Sequence, residues 1–146
     1  MGYIVNSYQN PNFYADELDE FLEPPETKVL LKAIREIIGW HHLEDRAAFI
    51  SYDVFLRGKF DRKTGKQLAR GCGLCKATLQ KALNNLNEYK ILLKLKSPSI
   101  KNGQLYALNF DTDSIDWEGL RVRREDKLFG NKKRISHARA VNPSVK

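Results

Sequence analysis

The chain has 146 residues, with 25 Lys or Arg against 18 Asp or Glu and a net charge of +7. That length fits one domain with tails, and 42% apolar residues are enough to build a core, so a globally disordered chain is excluded. No apolar run approaches the ~18 residues of a spanning helix, residues 1–10 show no secretory signal, and two cysteines cannot make a disulfide scaffold, so a cytoplasmic protein with no membrane association is expected.

Residues 1–12 are polar with tyrosines and read as an arm. Residues 13–22 place Leu18, Phe21 and Leu22 on one side of a short helix. Pro24-Pro25 stops it and opens the next helix, because proline is tolerated in a first helical turn. Glu26 stands where the helix dipole favours a negative charge. Leu30, Ala33, Ile34 and Ile37 then follow helical spacing, which predicts a helix over 25–38 with Gly39 as its stop. Residues 40–46 read as a polar turn containing His41-His42. The short apolar stretch 47–55 predicts a helix that begins near Ser51, a fair N-cap.

Residues 58–73 are basic and punctuated by glycine. The clearest element follows, a helix from Cys75 to about Tyr89 with Leu79, Ala82, Leu83 and Leu86 as its apolar face. Strands are predicted at 91–96 and 104–110, joined by a turn that holds Pro98 and Asn102-Gly103. Residues 111–127 suggest a short helix around Trp117, and 131–146 a flexible basic tail. There is no internal repeat. The expected organisation is thus an arm at 1–12, a domain at 13–112, a helical extension at 113–130 and the tail at 131–146.

Charge is unevenly spread. Residues 1–56 carry 4 basic and 10 acidic side chains, 57–101 carry 12 and 2, and 102–146 carry 9 and 6. The middle block, net +10 (12 minus 2), is suited to a polyanion, against the plain alternative of a solvated basic face. No long apolar stripe accompanies its lysines, which disfavours a membrane surface.

The order of helices, strand, Asn-Gly turn and strand predicts a mainly α fold with a small β-hairpin, a winged helix-turn-helix. Ala69, Gly73 and Leu79 supply, at offsets of 4 and 10 from the first, the small residue, the turn glycine and the seating apolar residue of such a pair. With the leucines buried, the opposite face of the helix presents Lys76, Ala77, Thr78, Gln80, Lys81 and Asn84. Gln80 and Asn84 are suited to adenine, and Lys76 and Lys81 to guanine or phosphate. An ordinary wet helix face is the alternative. The hairpin adds Lys94, Lys96, Ser97, Ser99, Lys101 and Asn102 for phosphate or the minor groove. No aromatic platform interleaves with these lysines, so single-strand binding is less favoured. The first helix of the pair is either 64–71, by the Ala69 spacing, or 51–57. In the second case 59–72 is an inserted basic loop, and Lys59, Arg62, Lys63, Lys66 and Arg70 form a further DNA-facing finger.

Four segments carry a family likeness. Asn12-Phe13-Tyr14-Ala15-Asp16-Glu17-Leu18, the run from Val29-Leu30-Leu31 to Ile34-Arg35-Glu36-Ile37-Ile38-Gly39-Trp40, Asp45-Arg46-Ala47-Ala48-Phe49-Ile50-Ser51, and Gly73 to Leu83 together resemble phage replication protein O-like domains. The similarity is one of pattern over about residues 12–110. It implies a winged helix that binds origin DNA in phage or plasmid replication, with replication proteins as further partners; separately, the acidic 16–26 segment could shield the basic face of a second copy of the chain.

Other chemistry is set aside. Cys72-Gly73-Leu74-Cys75 has CxxC spacing, but a zinc site needs two further ligands from His41, His42 and His137. As a redox pair, Cys75 at a helix N-terminus has a stabilised thiolate, and a disulfide to Cys72 would bend the turn before the reading helix; the alternative is a cysteine in place of a capping serine. His41-His42 beside Glu44 and Asp45 suits a polar turn better than a metal site. Residues 111–116 have the outline of a calcium loop, but Ile115 stands at a ligand position and Asp116 where glycine is required. No P-loop or nucleophile elbow is present, so neither an enzyme nor a cofactor is expected. The expectation is sequence-specific binding of double-stranded DNA by a nucleoid-associated protein. The alternatives are a transcriptional regulator of the same fold, or a docking module whose acidic segment (Asp16, Glu17, Asp19, Glu20, Glu23, Glu26) meets a basic partner.

Overall fold

A computed structural model of the chain describes residues 10–39, 47–99 and 103–141, with only the backbone described at 96–99 and 130–141. Two units are distinguished, Met1–Ile115 and Asp116–Lys146. Helix dominates, with a small antiparallel sheet.

In the first unit, the short helix expected at 13–22 forms, but not as a regular α-helix. A π turn, Tyr14–Leu18, runs into a 3-10 turn, Asp19–Phe21. The prolines explain the shortness: a residue before proline is pushed out of the α region, and Glu23 and Leu22 are both extended. Helix α1, Pro24–Ile34, begins at those prolines, and Glu26 reaches back to accept a hydrogen bond from the Glu23 amide at 3.1 Å. A wide turn, Arg35–Gly39, extends it to the expected glycine. Val29, Leu30, Ala33, Ile34, Ile37 and Ile38 are buried along this length.

Residues 47–55 hold the helix expected to begin near Ser51 and, ahead of it, a strand that was not expected. Ala47–Ile50 is a strand, β1, and only then does α2, Tyr52–Arg57, begin. Ser51 caps it as expected, accepting from the Val54 amide at 3.3 Å. Ala47 and Ala48 give no clean alternation, so the strand is selected by its partner: Ala47 lies opposite Ala107 and Ile50 opposite Gln104. After α2 comes a hairpin, β2 (Lys59–Phe60) and β3 (Gln67–Ala69). The reading of 64–71 as the first helix is therefore overturned. Ala69 pairs with Lys59 across a ladder and is not the small residue of a helix crossing. Gly65 within that stretch takes φ +71°, which suits a turn and not a helix.

Helix α3, Lys76–Glu88, follows, then strands β4 (Leu92–Ser99) and β5 (Gly103–Leu108). The sheet order is β1-β5-β4, all antiparallel. Leu79, Ala82, Leu83 and Leu86 of α3 are buried, and α3 packs on α1. Each leucine contributes roughly 1.5–3 kcal/mol by leaving water. The helix ends on two reverse hydrogen bonds, Ile91 N–H to the Leu86 carbonyl at 2.8 Å and Lys90 N–H to that of Asn87 at 3.0 Å. This is the Schellman arrangement, and it places Lys90 at φ 61° where glycine is usual. Ile91, beyond the cap, is fully buried.

In the second unit, α4 runs over Trp117–Val141, with the Asp116 carboxylate accepting from the Gly119 amide at 3.0 Å. The helix thus continues through 131–141, where a tail was expected. That stretch is rich in Lys, Arg and Ala and has no proline, a composition that favours helix. The last five residues, 142–146, lie outside the described ones. Among the described residues no helix is long and apolar enough to cross a membrane.

The left-handed residue yields a stability test. A lysine there costs about 1–2 kcal/mol of backbone strain, partly offset in glycine by the entropy of its unfolded chain. Lys90→Gly is expected to raise stability by about 0.5–1 kcal/mol in urea unfolding, with an unchanged m-value.

Candidate nucleic-acid interface

The leucine stripe fixes which side of α3 faces outward. Lys76, Ala77, Gln80, Lys81 and Asn84 are exposed and Thr78 is half-buried, as their helical phase requires. The two edges of this face differ. On one, Thr78 and Lys81 border a hollow of about 300 Å³ with Glu23, Pro25, Glu26 and Asn85. Glu26 is only 2% exposed and is held by the Asn85 amide at 3.0 Å as well as by its own helix start. The acidic start of α1 therefore tempers the field around Lys81 without burying that lysine.

The other edge meets the sheet. Lys94 of β4 donates to the Asn84 side chain at 2.5 Å, and the Asn87 side chain accepts from the Lys94 amide at 2.9 Å. Two residues expected to contact DNA separately are thus joined to each other, and the Asn84 carbonyl oxygen is already engaged. Lys76 stands 6.0 Å from the centre of the Tyr52 ring, within cation–π range. Lys96 is described only by its backbone, where it pairs with Leu105; Lys101, the side chains of Ser97 and Ser99, and Asn102 lie outside what is described.

The basic finger is the β2–β3 hairpin. Its tip holds a carboxylate turn in which Asp61 accepts from the Lys63 amide at 2.9 Å and the Thr64 hydroxyl at 3.1 Å. These bonds, the Lys63 amide foremost, hold the Asp61 carboxyl below its usual range. Arg62, Lys63, Lys66 and Arg70 are all exposed around it. Lys59 differs from them, since its ammonium pairs with Glu36 of the turn after α1 at 3.3 Å. Glu36 is 6% exposed and also pairs with Lys32 at 3.6 Å, while Lys32 donates to the Arg70 carbonyl at 3.1 Å. The stem is tied to α2 as well, by Gln67 donating to the Arg57 carbonyl at 3.0 Å. At the mouth of the hairpin a side chain on Gly58, at φ +96°, would collide with the Ala69 carbonyl, and one on Gly71 with the Leu56 carbonyl. The two strands leave α2 and return towards α3 through that narrow mouth.

Both cysteines are free. Cys72 is half-buried with its thiol 3.9 Å from the Lys28 carbonyl, and burial pushes its pKa up against the pull of Lys32 and Lys28. Cys75 is exposed at the N-cap of α3, and its sulfur lies 3.1 Å from the Thr78 hydroxyl. That hydroxyl, ahead of the neighbouring amides, lowers the Cys75 pKa. Among the described residues no cluster of three or more His, Cys, Asp or Glu is placed to hold a metal; His41 and His42 lie outside them, and His137 is described only by its backbone. At the calcium-like stretch the buried Asn109 donates to the Lys90 carbonyl and the Ser114 hydroxyl, both at 2.7 Å, and accepts from the Asp111 amide at 2.9 Å.

Sequence reasoning missed the aromatic component. Tyr52, distant in sequence from the lysines of α3 and β4, borders a hollow of about 370 Å³ with Lys94, Gln104 and Tyr106. Only the pairing of β1 with β5 brings them together. No family model matches the chain, and no curated protein and no solved structure matches it.

The unlike cysteines generate a test. A lowered pKa leaves more thiolate at a given pH, and thiolate is the reacting species. Cys75 should be alkylated several-fold faster than Cys72 at pH 7, with its rate levelling off at a lower pH than that of a simple thiol. Thr78→Val should slow Cys75 and leave Cys72 unchanged, as read by mass spectrometry of the labelled peptides.

Proposed function

We propose that the chain is a sequence-specific double-stranded DNA-binding protein of the winged helix-turn-helix type, acting in replication initiation of a phage or plasmid. The observation that carries this reading is the face of α3, where Lys76, Ala77, Gln80, Lys81 and Asn84 stand in solvent over a fully buried leucine stripe. A helix with short polar and cationic side chains outward fits the major groove, where amides and lysines meet base edges and phosphates. In this reading α2 and α3 are the helix pair, β4 and β5 the wing, and β1 the third strand. The sheet order β1-β5-β4 supports it.

The hairpin is an insertion between the paired helices. Arg62, Lys63 and Lys66 at its exposed tip add phosphate contacts beyond α3, on a stem braced by Glu36 and Arg57. Lys94 serves as a wing cation that also orients Asn84. The replication role rests on the family resemblance of the sequence; transcriptional control would use the same binding face.

Selection of bound oligonucleotides from a random pool should yield a defined motif, repeated if the protein binds as a dimer. On that motif the logarithm of affinity should fall with the logarithm of salt concentration with a slope of about −4 to −6. Lys81→Ala should weaken all duplexes alike and reduce the slope by about 1. Gln80→Ala should cost about 1–3 kcal/mol on the selected motif and relax its sequence preference. A flat salt response would overturn the reading. Protein partners that survive nuclease treatment in a pull-down, with no duplex affinity, would favour a docking module instead.

A further inference from the structure

The hollow beside β4 borders the duplex-reading face of α3 and shares Lys94 with it, whose ammonium also reaches Asn84. It is bounded by Ile50 at the end of β1, by Ser51 and Tyr52 at the start of α2, by Lys94 on β4, and by Gly103, Gln104 and Tyr106 on β5. Its volume of about 370 Å³ lies at the small end of the roughly 300–1,000 Å³ range of ligand sites, which suits a group of nucleotide size better than a large cofactor. We propose that it holds a single unstacked nucleotide of a DNA strand, with the base laid against Tyr52 and the phosphate met by Lys94.

Three features carry this. The first is an aromatic surface beside cations: Tyr52 is half-buried, Lys76 stands 6.0 Å from its ring centre, and Lys94 lines the same hollow. A π face flanked by positive charge is the chemistry by which proteins hold unpaired bases. The second is a polar group set inside the wall. Gln104 lines the hollow at 8% exposure, and its amide nitrogen donates to the Leu105 carbonyl at 3.2 Å, which holds a hydrogen-bonding side chain in the lining. The third is rigidity. Tyr106 is locked edge-on against Phe55 at 5.8 Å, the Ser51 hydroxyl is committed to the cap of α2, and the Lys94 amide is pinned to Asn87. The close approach of Gly103 to Ser51, where an added side chain would come within 2.9 Å of the Ser51 Cα, closes one end of the hollow.

The inference rests on the DNA-binding reading, and it gives that reading a second element: duplex is held on α3 while one nucleotide at a strand end or an opened base pair is held beside the wing. A chain built this way prefers a junction of double and single strand to an uninterrupted duplex.

The test uses the full chain and fluorescence anisotropy with four DNAs: a blunt duplex, the same duplex with a three-nucleotide single-stranded overhang, that overhang made abasic, and the overhang-bearing strand alone. The overhang is expected to tighten binding about tenfold, the scale of one base–aromatic stack, and the abasic form to lose that gain. Tyr52→Ala should remove the gain, so that the variant binds the overhang and the blunt duplex equally, whatever its affinity for the blunt duplex itself. Gln104→Ala should reduce it. If Tyr52→Ala does not fold, the abasic comparison in the wild type decides. Equal affinity for blunt and overhang DNA would overturn the nucleotide site and leave duplex binding standing. Affinity for the overhang strand alone, with none for the blunt duplex, would support the nucleotide site and overturn the duplex reading. Tight binding of free deoxyadenosine monophosphate with no gain from the overhang would also overturn the proposal, in favour of a small-molecule site.

Discussion

The seating of α3 on α1 is the constraint on which the remaining geometry depends. Leu79, Leu83 and Leu86 are fully buried, and the apolar length of α1 from Val29 to Ile38 is buried with them. Burial of that stripe is worth several kcal/mol, far more than any one hydrogen bond on the surface of α3. It alone sets the rotation of the helix, and so decides that Lys76, Gln80, Lys81 and Asn84 face water. A change of phase by one residue would turn the leucines out by about 100°, which no polar contact in the structure could offset.

Helix α1 and the turn that follows it do more than supply an apolar surface. Two buried carboxylates project from them, and each holds a different element of the candidate interface. Glu26 binds Asn85 and so locks α3 along its axis, while Glu36 binds Lys59 and braces the hairpin. A buried carboxylate left without its partners costs several kcal/mol, so these links act as registry pins as well as attractions. The folded chain also divides the cations of the basic block. Lys59 is spent on the fold, Lys94 is shared between β4 and Asn84, and Arg62, Lys63 and Lys66 are left to solvent. Net charge alone would count all five equally.

The electrostatic character of α3 is likewise uneven across its width. Towards α1 the hollow at Lys81 is edged by Glu23 and Glu26; towards the sheet, Lys76 and Lys94 lie beside Tyr52. On the proposed reading, the sheet side, where cations and a ring stand together, would attract a polyanion more strongly than the side edged by Glu23 and Glu26. Like charge repulsion of this kind fixes orientation more than it sets affinity.

Local signals were legible wherever the chain's own neighbours decide the structure. The Pro24-Pro25 start of α1, the Ser51 cap, the leucine period of α3 and the strands around Asn102-Gly103 all follow from interactions within a few residues, and the exposed face of α3 followed from its leucine phase. What the sequence could not decide was set by partners far away in the chain. Ala47–Ile50 is a strand because β5 is there to pair with it, and Ala69 lies in a ladder although its spacing to Gly73 and Leu79 imitates a helix pair. Lys59 and Lys66 look alike in the sequence, yet one is neutralised by Glu36 and the other is exposed, because only the folded chain brings a buried carboxylate to the first. Tyr52 joins Lys76, Lys94 and Gln104 for the same reason: periodicity reports which side of an element is buried, whereas the identity of what lies across from it is fixed only when sheet and helices close on one another.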